Sequence, residues 1–470
     1  MLYRVDRSAI ATRTLSWVRR NSLALGFVAV LTAMYSTLAV RHQVDVRTGA
    51  YDLGIFDQAI RNYAALRPPI VVIKGPGFNL LGDHFHPILM LLGPIYALVP
   101  SVMTLLVAQA FLFALAAAPL VNWAKRSLGT PTAVVVGIVY GLSYGIASAV
   151  GFDFHEIAFA VPLLAFSLSA LGQGRLGAAS AWAIPLVLCK EDLGVTAVAG
   201  IGVLIAWRGA RRLGIITAVV GVAATVLEIT VLLPYFNTNG TYAYWGKVAG
   251  GPSLLQVAFS HLDEKLFTLL VTFALTGLIA LLSPIALIAL PTLAWRFVTN
   301  DANYWGTQFH YSAVLMPIVV AAMIDGLIRL RRRDTRLLKW ASRVALVASL
   351  GVTVALIPSH SFVQFFQPWL WQGNPHIGTI NAELAKIPNG ATVSASDDIV
   401  PQLTDRTTVT VFGLRPLDAA RPQWILVDPH ATRHYRVSPH QEHLDLLHAE
   451  SDGYRVVMDR SGITLLRDIR

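Results

Sequence analysis

Four short polar motifs stand out in a chain that is otherwise strongly apolar. Three of them combine His, Asp, Glu or Lys side chains, and the fourth carries two Asp residues just after the first apolar run. The motifs are Tyr-Asp-Leu-Gly-Ile-Phe-Asp-Gln at 51–58, Asp-His-Phe-His-Pro at 83–87, Asp-Phe-His-Glu at 153–156 and Lys-Glu-Asp at 190–192. Carboxylates and imidazoles act as general acids and bases, and both ligate metals. At a membrane boundary such side chains are costly unless they are used or paired.

The first motif offers two carboxylates, Asp52 and Asp57. A carboxylate here can act as the general base that removes a proton from an attacking hydroxyl, or it can hold a metal. Structural roles are also open, because Asp52 can cap the following helix and Asp57 can pair with Arg61 at the i,i+4 spacing. The two carboxylates are five positions apart, so they do not share one face of a helix.

The other three motifs predict binding residues at the ends of apolar segments. His84 and His86 point to one side of an extended chain, where they suit a divalent metal or a phosphate; a capped helix start before Pro87 is the alternative. Lys190 suits a lipid-linked phosphate, or it pairs with neighbouring carboxylates. The predicted substrate-binding residues are Asp57, His84, His86, Asp153, His155, Glu156, Lys190, Glu191 and Asp192.

The composition places these motifs in a multi-spanning membrane protein. The 470 residues are 55% hydrophobic and 14% charged, whereas soluble proteins carry roughly 25% charged residues. The apolar runs are too long for barrel strands, so they predict helices. The net charge of +10 comes mostly from Arg and Lys in short loops, which indicates membrane topology and anionic lipid and not nucleic acid. The single cysteine, Cys189, excludes an internal disulfide framework.

Eleven apolar segments are predicted to span the membrane, and the first runs outward from a cytoplasmic segment, 1–21, that is rich in arginine. The stretch 88–99 is short, and we expect it to lie at the outer interface. If it crossed the membrane, the Arg331–Arg333 run would face outward, against the positive-inside rule. This topology places all four motifs on the outer side. The predicted spans are 22–40, 101–123, 132–150, 157–171, 176–188, 193–207, 213–233, 263–282, 285–298, 310–330 and 337–357.

The composition changes after the membrane domain, 22–358. The segment 359–470 is charged and His-rich, with short apolar runs that favour strands. It therefore predicts a small α/β domain on the extracytoplasmic side. The predicted strands are 391–395, 407–412, 424–427, 454–458 and 463–466, and the predicted helices are 381–387 and 440–448.

In their order, the four motifs resemble those of a prokaryotic membrane family known as domain of unknown function 2079. The layout also resembles the GT-C glycosyltransferase superfamily, with an acidic residue in the first outer loop and a His-Pro motif before an interfacial helix. The resemblance implies an all-α polytopic fold in the plasma membrane of a prokaryote. It further implies inverting transfer of a sugar from a polyprenyl-phosphate donor to a glycan, lipid or protein acceptor of the cell envelope.

The resemblance also implies roles for individual residues. Asp52 matches the catalytic carboxylate, His84 and His86 match the region near the acceptor or metal, and Lys190 is the expected partner of the donor phosphate. The first loop lacks the adjacent acidic pair of many GT-C members. If a divalent metal is used, the residue types suit Mg²⁺, Mn²⁺ or Zn²⁺, and the candidate ligands are Asp52, His84, His86, His155 and Glu156.

Two other functions fit the same pattern. One is a transporter or flippase for lipid-linked or small polar solutes, and the other is a non-catalytic envelope assembly protein that binds through its C-terminal domain. Transporters usually hold their ionisable groups near the bilayer midplane. Because the motifs lie at span ends on one side, the sequence favours the enzyme.

Overall fold

The computed structural model describes residues 7–244, 246, 253–333, 335–417, 421–432 and 437–470. Residues 1–6 of the predicted N-terminal segment lie outside this set, as do 245 and 247–252 of the loop after the seventh predicted span. Every predicted span contains helix. The longer helices of the membrane domain are Arg7–Val44, Val102–Leu115, Ala117–Leu128, Thr130–Gly141, Tyr144–Gly151, Ile157–Gly172, Leu176–Ala183, Ala199–Trp207, Arg211–Leu227, Leu262–Ala274, Ala289–Val298, Leu315–Arg332 and Arg336–Leu356. The first loop carries the helix Ile55–Ala64, and the shorter helices include Gly93–Leu98, Leu233–Phe236, Leu254–Phe259 and Pro368–Gln372.

Within the described residues, five helices are individually long and apolar enough to cross a membrane. The bent pair Thr130–Gly141 and Tyr144–Gly151 adds a sixth when it is counted as one span. Four of the other predicted spans are shorter apolar helices. The polytopic helical fold is confirmed, and the count of eleven spans stays a prediction. The five long helices are Ser16–Val44, Val102–Leu128, Arg211–Phe236, His310–Arg332 and Arg336–Ser359.

The predicted span 263–282 is broken. Its helix ends at Ala274, and a separate helical turn follows at Ile279–Leu282. Between them Gly277 and Leu278 both have positive φ, 57° and 62°, which no right-handed helix accommodates. The break follows from glycine inside an apolar run, where composition alone indicates a continuous span.

The spans differ in how far they are enclosed. The apolar window of His310–Arg332 is 83% buried, whereas those of Arg211–Phe236 and Arg336–Ser359 are 22% and 17% buried. The first is therefore the central helix of the body, and the other two present apolar surface to lipid. Close packing near the edge depends on Gly202, where an added Cβ would lie 2.5 Å from the backbone nitrogen of Ala218.

Charge separates the two ends of the helical body. At one end, Arg331 donates to the carbonyl of Leu128 (2.8 Å), and Arg208 pairs with Asp325 (3.8 Å). The helices that start beside these residues run to the opposite end, where the four motifs lie. This asymmetry is the one that the sequence predicts, and which end faces the cytoplasm stays a prediction.

The described part of the C-terminal segment contains five strands: β1 Thr392–Ala395, β2 Thr408–Val411, β3 Trp424–Val427, β4 Tyr454–Arg460 and β5 Ile463–Asp468. They form one sheet in the order β2-β1-β3-β5-β4. Strand β1 pairs in parallel with β2 and β3, while β5 runs antiparallel to β3 and β4. The five predicted strands are confirmed. The predicted helix 440–448 lies within the helix Pro439–Ser451, whereas the helix predicted at 381–387 begins and ends earlier, at Ile377–Leu384.

The C-terminal domain packs against the first loop (residues 45–86), which carries the first two motifs, and forms hydrogen bonds with it. Arg61 donates to the carbonyls of Thr404 (2.9 Å) and Thr407 (2.7 Å), and Gln58 donates to that of Val409 (2.8 Å). A shared apolar core joins the two parts. It includes Leu53, Ile60, Val393, Val400 and Val409. The loop and the domain therefore form one packed unit.

Candidate active site

A cavity of about 800 Å³ lies at the end of the helical body that carries the four motifs. Ligand pockets usually measure roughly 300–1,000 Å³. All four motifs contribute to its wall, together with chain segments that the motifs do not cover. The predicted residues in the wall are Asp52, His84, His86, His155, Glu156 and Lys190. The other polar or aromatic residues include Lys74, Asp83, Tyr244, Asp301, Asn303, Tyr304, His310, Tyr311 and Asp397.

Four of these side chains form a row of alternating charge. Asp52 Oδ2 lies 2.9 Å from His155 Nε2, His155 Nδ1 lies 3.5 Å from Glu156 Oε2, and Glu156 Oε1 accepts from Lys190 Nζ at 3.0 Å. The Asp52 side chain is 29% exposed and that of Glu156 is 1% exposed, so Asp52 is the open end of the row and Glu156 is its most enclosed member. No side chain caps the helix Ile55–Ala64, so the structure gives Asp52 a contact with His155 in place of a capping role.

The pKa values in this row follow from its contacts. Burial lowers the pKa of His155, but the charge and hydrogen bond of Asp52 and the contact with Glu156 raise it to about 9. Burial raises the pKa of Glu156, but Lys190 and His155 hold it well below its usual range. Burial lowers the pKa of Lys190, and Glu156 with the neighbouring carboxylates brings it well above its usual range. His155, Glu156 and Lys190 are therefore all charged near neutral pH.

The second and fourth motifs meet through His84. Its Nδ1 lies 2.7 Å from Glu191 Oε1, and the same oxygen accepts from the hydroxyl of Tyr242 (3.2 Å). The ring of Tyr244 stacks on His84 with centroids 4.5 Å apart. Burial raises the pKa of Glu191, but His84 and Lys190 bring it below its usual value. Glu191 therefore orients the ring of His84 from outside the cavity wall, and His84 itself lines the cavity.

His86 has a different environment from His84. It is 1% exposed and packs edge-on against Phe56, with ring centroids 5.7 Å apart. Burial lowers its pKa to about 4, so the ring is neutral near pH 7. Its Nδ1 has no hydrogen-bond partner among the described residues. His86 therefore offers the cavity a neutral ring and not a positive charge.

Four predicted binding residues lie outside the cavity wall: Glu191, which contacts His84, and Asp57, Asp153 and Asp192. Asp57 is buried and accepts from the hydroxyl of Tyr96 (3.1 Å), and burial raises its pKa to about 7. The side chain of Asp153 accepts from Gly49 N (3.0 Å). Asp192 does not line the cavity either, and burial raises its pKa to about 6. Asp57 and Asp153 hold the first loop on either side of Asp52.

Several cavity residues escaped prediction from the sequence. His310 stacks on His155, with ring centroids 3.4 Å apart. It is the first residue of a predicted apolar span, and it was therefore assigned to the membrane segment and not to the site. Lys74 pairs with Asp83 and stands alone in a loop without neighbouring polar residues. Asp397 lies two positions after the predicted strand 391–395, and this position near a strand end was the available signal.

The described residues do not fit a metal centre. No group of three His, Cys, Asp or Glu side chains among them is arranged to hold a metal ion. Of the candidate ligands, His155 contacts Asp52 and Glu156, Glu156 binds Lys190, and His84 binds a different carboxylate. Metal dependence stays a prediction, and no step below uses a metal.

The chain shares its fold with a solved structure. The chain is similar to ArnT from Cupriavidus metallidurans in its apo state, with a TM-score of 0.54 and 13% sequence identity over 97% of this chain and 98% of that chain. It has a weaker likeness to the apo oligosaccharyltransferase of Archaeoglobus fulgidus, with a TM-score of 0.40 and 12% identity over 86% and 69% of the two chains. This second likeness is too low to bear on the fold.

Within that fold class, residues 42–465 match the family described as Predicted membrane protein (DUF2079). The chain belongs to this family, as the order of its four motifs predicts. A comparison with curated proteins finds no match.

Proposed function

We propose that this protein is a membrane glycosyltransferase of the prokaryotic plasma membrane, which transfers a sugar from a polyprenyl-phosphate donor to a cell-envelope acceptor outside the cytoplasm. The observation that carries the proposal is the convergence of all four motifs on one cavity. The cavity is at one end of the helices and not at mid-depth, which favours transfer at a membrane surface over transport. The GT-C-like fold supports the same class of reaction.

Asp52 is the proposed general base. It lines the cavity and is the most exposed member of the charged row, so an acceptor hydroxyl can reach its carboxylate. The carboxylate takes the hydroxyl proton as the oxygen attacks the anomeric carbon. His155 holds the other side of the carboxylate and fixes its orientation. The new C–O bond forms opposite the leaving phosphate, so the anomeric configuration inverts.

Lys190 is the proposed partner of that phosphate. Its amine lies 3.0 Å from Glu156, yet the residue also lines the cavity. As the bond from the sugar to the phosphate breaks, negative charge grows on the departing polyprenyl phosphate, and a fixed ammonium stabilises it. Lys74 is a second lysine in the wall. The stacked rings of His84 and Tyr244 offer an apolar face to the sugar.

The test uses the purified protein in lipid nanodiscs with polyprenyl-phosphate hexoses and pentoses and extracted envelope glycan. The wild type should release polyprenyl phosphate and label the glycan, and Asp52→Asn should slow transfer by about 10²–10⁴-fold, the range of general base catalysis. Asp45→Asn is the matched control, because Asp45 is buried in the same loop and pairs with Arg41 outside the cavity. Full activity of Asp52→Asn refutes the assignment of the base.

A further inference from the structure

Asp397 joins the C-terminal domain to the cavity. It follows β1 by two positions, and its main-chain carbonyl accepts a hydrogen bond from Ala50 N (2.9 Å). It lines the same cavity as Asp52 and is only 5% exposed. Two carboxylate residues therefore reach one cavity from separate parts of the chain, one from the first loop and one from the sheet.

The sheet edge that meets the cavity is the edge at which parallel sheets usually bind ligands. β1 lies between β2 and β3 and pairs with both in parallel. In such sheets the ligand lies beyond the carboxyl ends of the strands, where the connections diverge to either side. That point falls at the end of β1, next to Asp397. Arg415, just after β2, donates to the carbonyl of Lys74 (2.6 Å), so a second strand end also meets the cavity wall.

We propose that Asp397 is a specificity-determining residue that recognises the hydroxyl groups of a sugar held between the C-terminal domain and Asp52. The assignment rests on the proposed function. A carboxylate accepts hydrogen bonds from adjacent sugar hydroxyls, and charge-assisted bonds of this kind are the stronger ones. The C-terminal domain thereby forms part of the transfer site and is more than a separate binding module. The sugar belongs to the lipid-linked donor or to the acceptor, which the experiment distinguishes.

The experiment measures binding to the full-length protein in nanodiscs with three probes: polyprenyl phosphate, a polyprenyl-phosphate hexose and an envelope oligosaccharide. Asp397→Asn should weaken binding of one sugar-bearing probe by about tenfold, the effect of losing one charged hydrogen bond, and leave bare polyprenyl phosphate unchanged. Loss for the lipid-linked hexose assigns Asp397 to the donor, and loss for the oligosaccharide assigns it to the acceptor.

Asp398→Asn is the matched control. Asp398 is the next residue and is 1% exposed, but it accepts from Thr432 N (3.0 Å) and is outside the cavity wall. The Asp398→Asn variant should bind all three probes as the wild type does. Unchanged binding of both sugar-bearing probes by Asp397→Asn, or an equal loss for bare polyprenyl phosphate, overturns the assignment. A wild-type protein that binds neither lipid refutes the proposed function itself, and this assignment with it.

Discussion

Replacing Lys190 by methionine separates its structural role from its proposed role in transfer. Glu156 is 1% exposed and its main partner is the Lys190 amine at 3.0 Å. Removing one member of a buried ion pair costs roughly 3–5 kcal/mol, because the remaining charge is left without compensation. His155 stays 3.5 Å from Glu156 and the Lys190 side chain is 14% exposed. We therefore expect Lys190→Met to lower the free energy of unfolding by about 3 kcal/mol, at the lower end of that range.

The double variant Lys190→Met/Glu156→Gln removes both charges. Its stability should return to within about 1 kcal/mol of the wild type, since an isosteric neutral pair is often nearly neutral in stability. Transfer should stay lost in both variants, because the phosphate has no ammonium partner. The assay is denaturant unfolding in mixed micelles, followed by transfer with a polyprenyl-phosphate sugar. A double variant that regains both stability and transfer would refute the role of Lys190 in binding phosphate.

Three further predictions follow from other contacts. The pKa of His155 is raised from 6.5 to about 9, so its protonation stabilises the fold fully below about pH 6.5, and this contribution is lost as pH rises through 9. His155→Gln should therefore make the free energy of unfolding depend less on pH between pH 7 and 9. An unchanged pH dependence in this variant would contradict the assignment. Arg61→Ala should lower the free energy of unfolding by about 2 kcal/mol, because the carbonyl of Thr404 and a second carbonyl lose their donor. The variant should also make the C-terminal domain sensitive to limited proteolysis. The control Arg455→Ala, on exposed β4, should have neither effect. Gly82→Ala should lower the free energy of unfolding by roughly 1–3 kcal/mol, because the added Cβ would lie 2.4 Å from the backbone nitrogen of Asn237. A melting temperature equal to that of the wild type would contradict this, because it would show that the loop backbone shifts to accommodate the methyl group.

The secondary structure was largely predictable from local pattern. The strands of the C-terminal domain are short apolar runs between turn residues, and the structure confirms them. The spans were predictable as helices, because apolar length is a property of composition. Their breaks were not, since Gly277 and Leu278 lie within a run whose hydropathy is uniform. Local backbone geometry decided the outcome there.

The membership of the candidate site was partly predictable. Charged residues and histidines at span ends pointed to Asp52, His155 and Lys190, because polar side chains are conspicuous in an apolar chain. Their partners depend on tertiary packing: His84 and Glu191 are 107 positions apart, and no local pattern links them. Asp397 belongs to a polar domain in which acidic residues are ordinary. Its position near a strand end is a weak signal, and the packing of the sheet against the first loop is what brings it to the cavity.

The most direct test of the account is the composition of the cell envelope in a strain that lacks this gene and carries either the wild-type protein or Asp52→Asn. We predict that the wild type restores a sugar missing from the envelope glycan. Asp52→Asn, present at the same level in the membrane, should instead leave the glycan deficient and let the polyprenyl-phosphate sugar accumulate. An envelope glycan that is restored fully by Asp52→Asn would contradict the account.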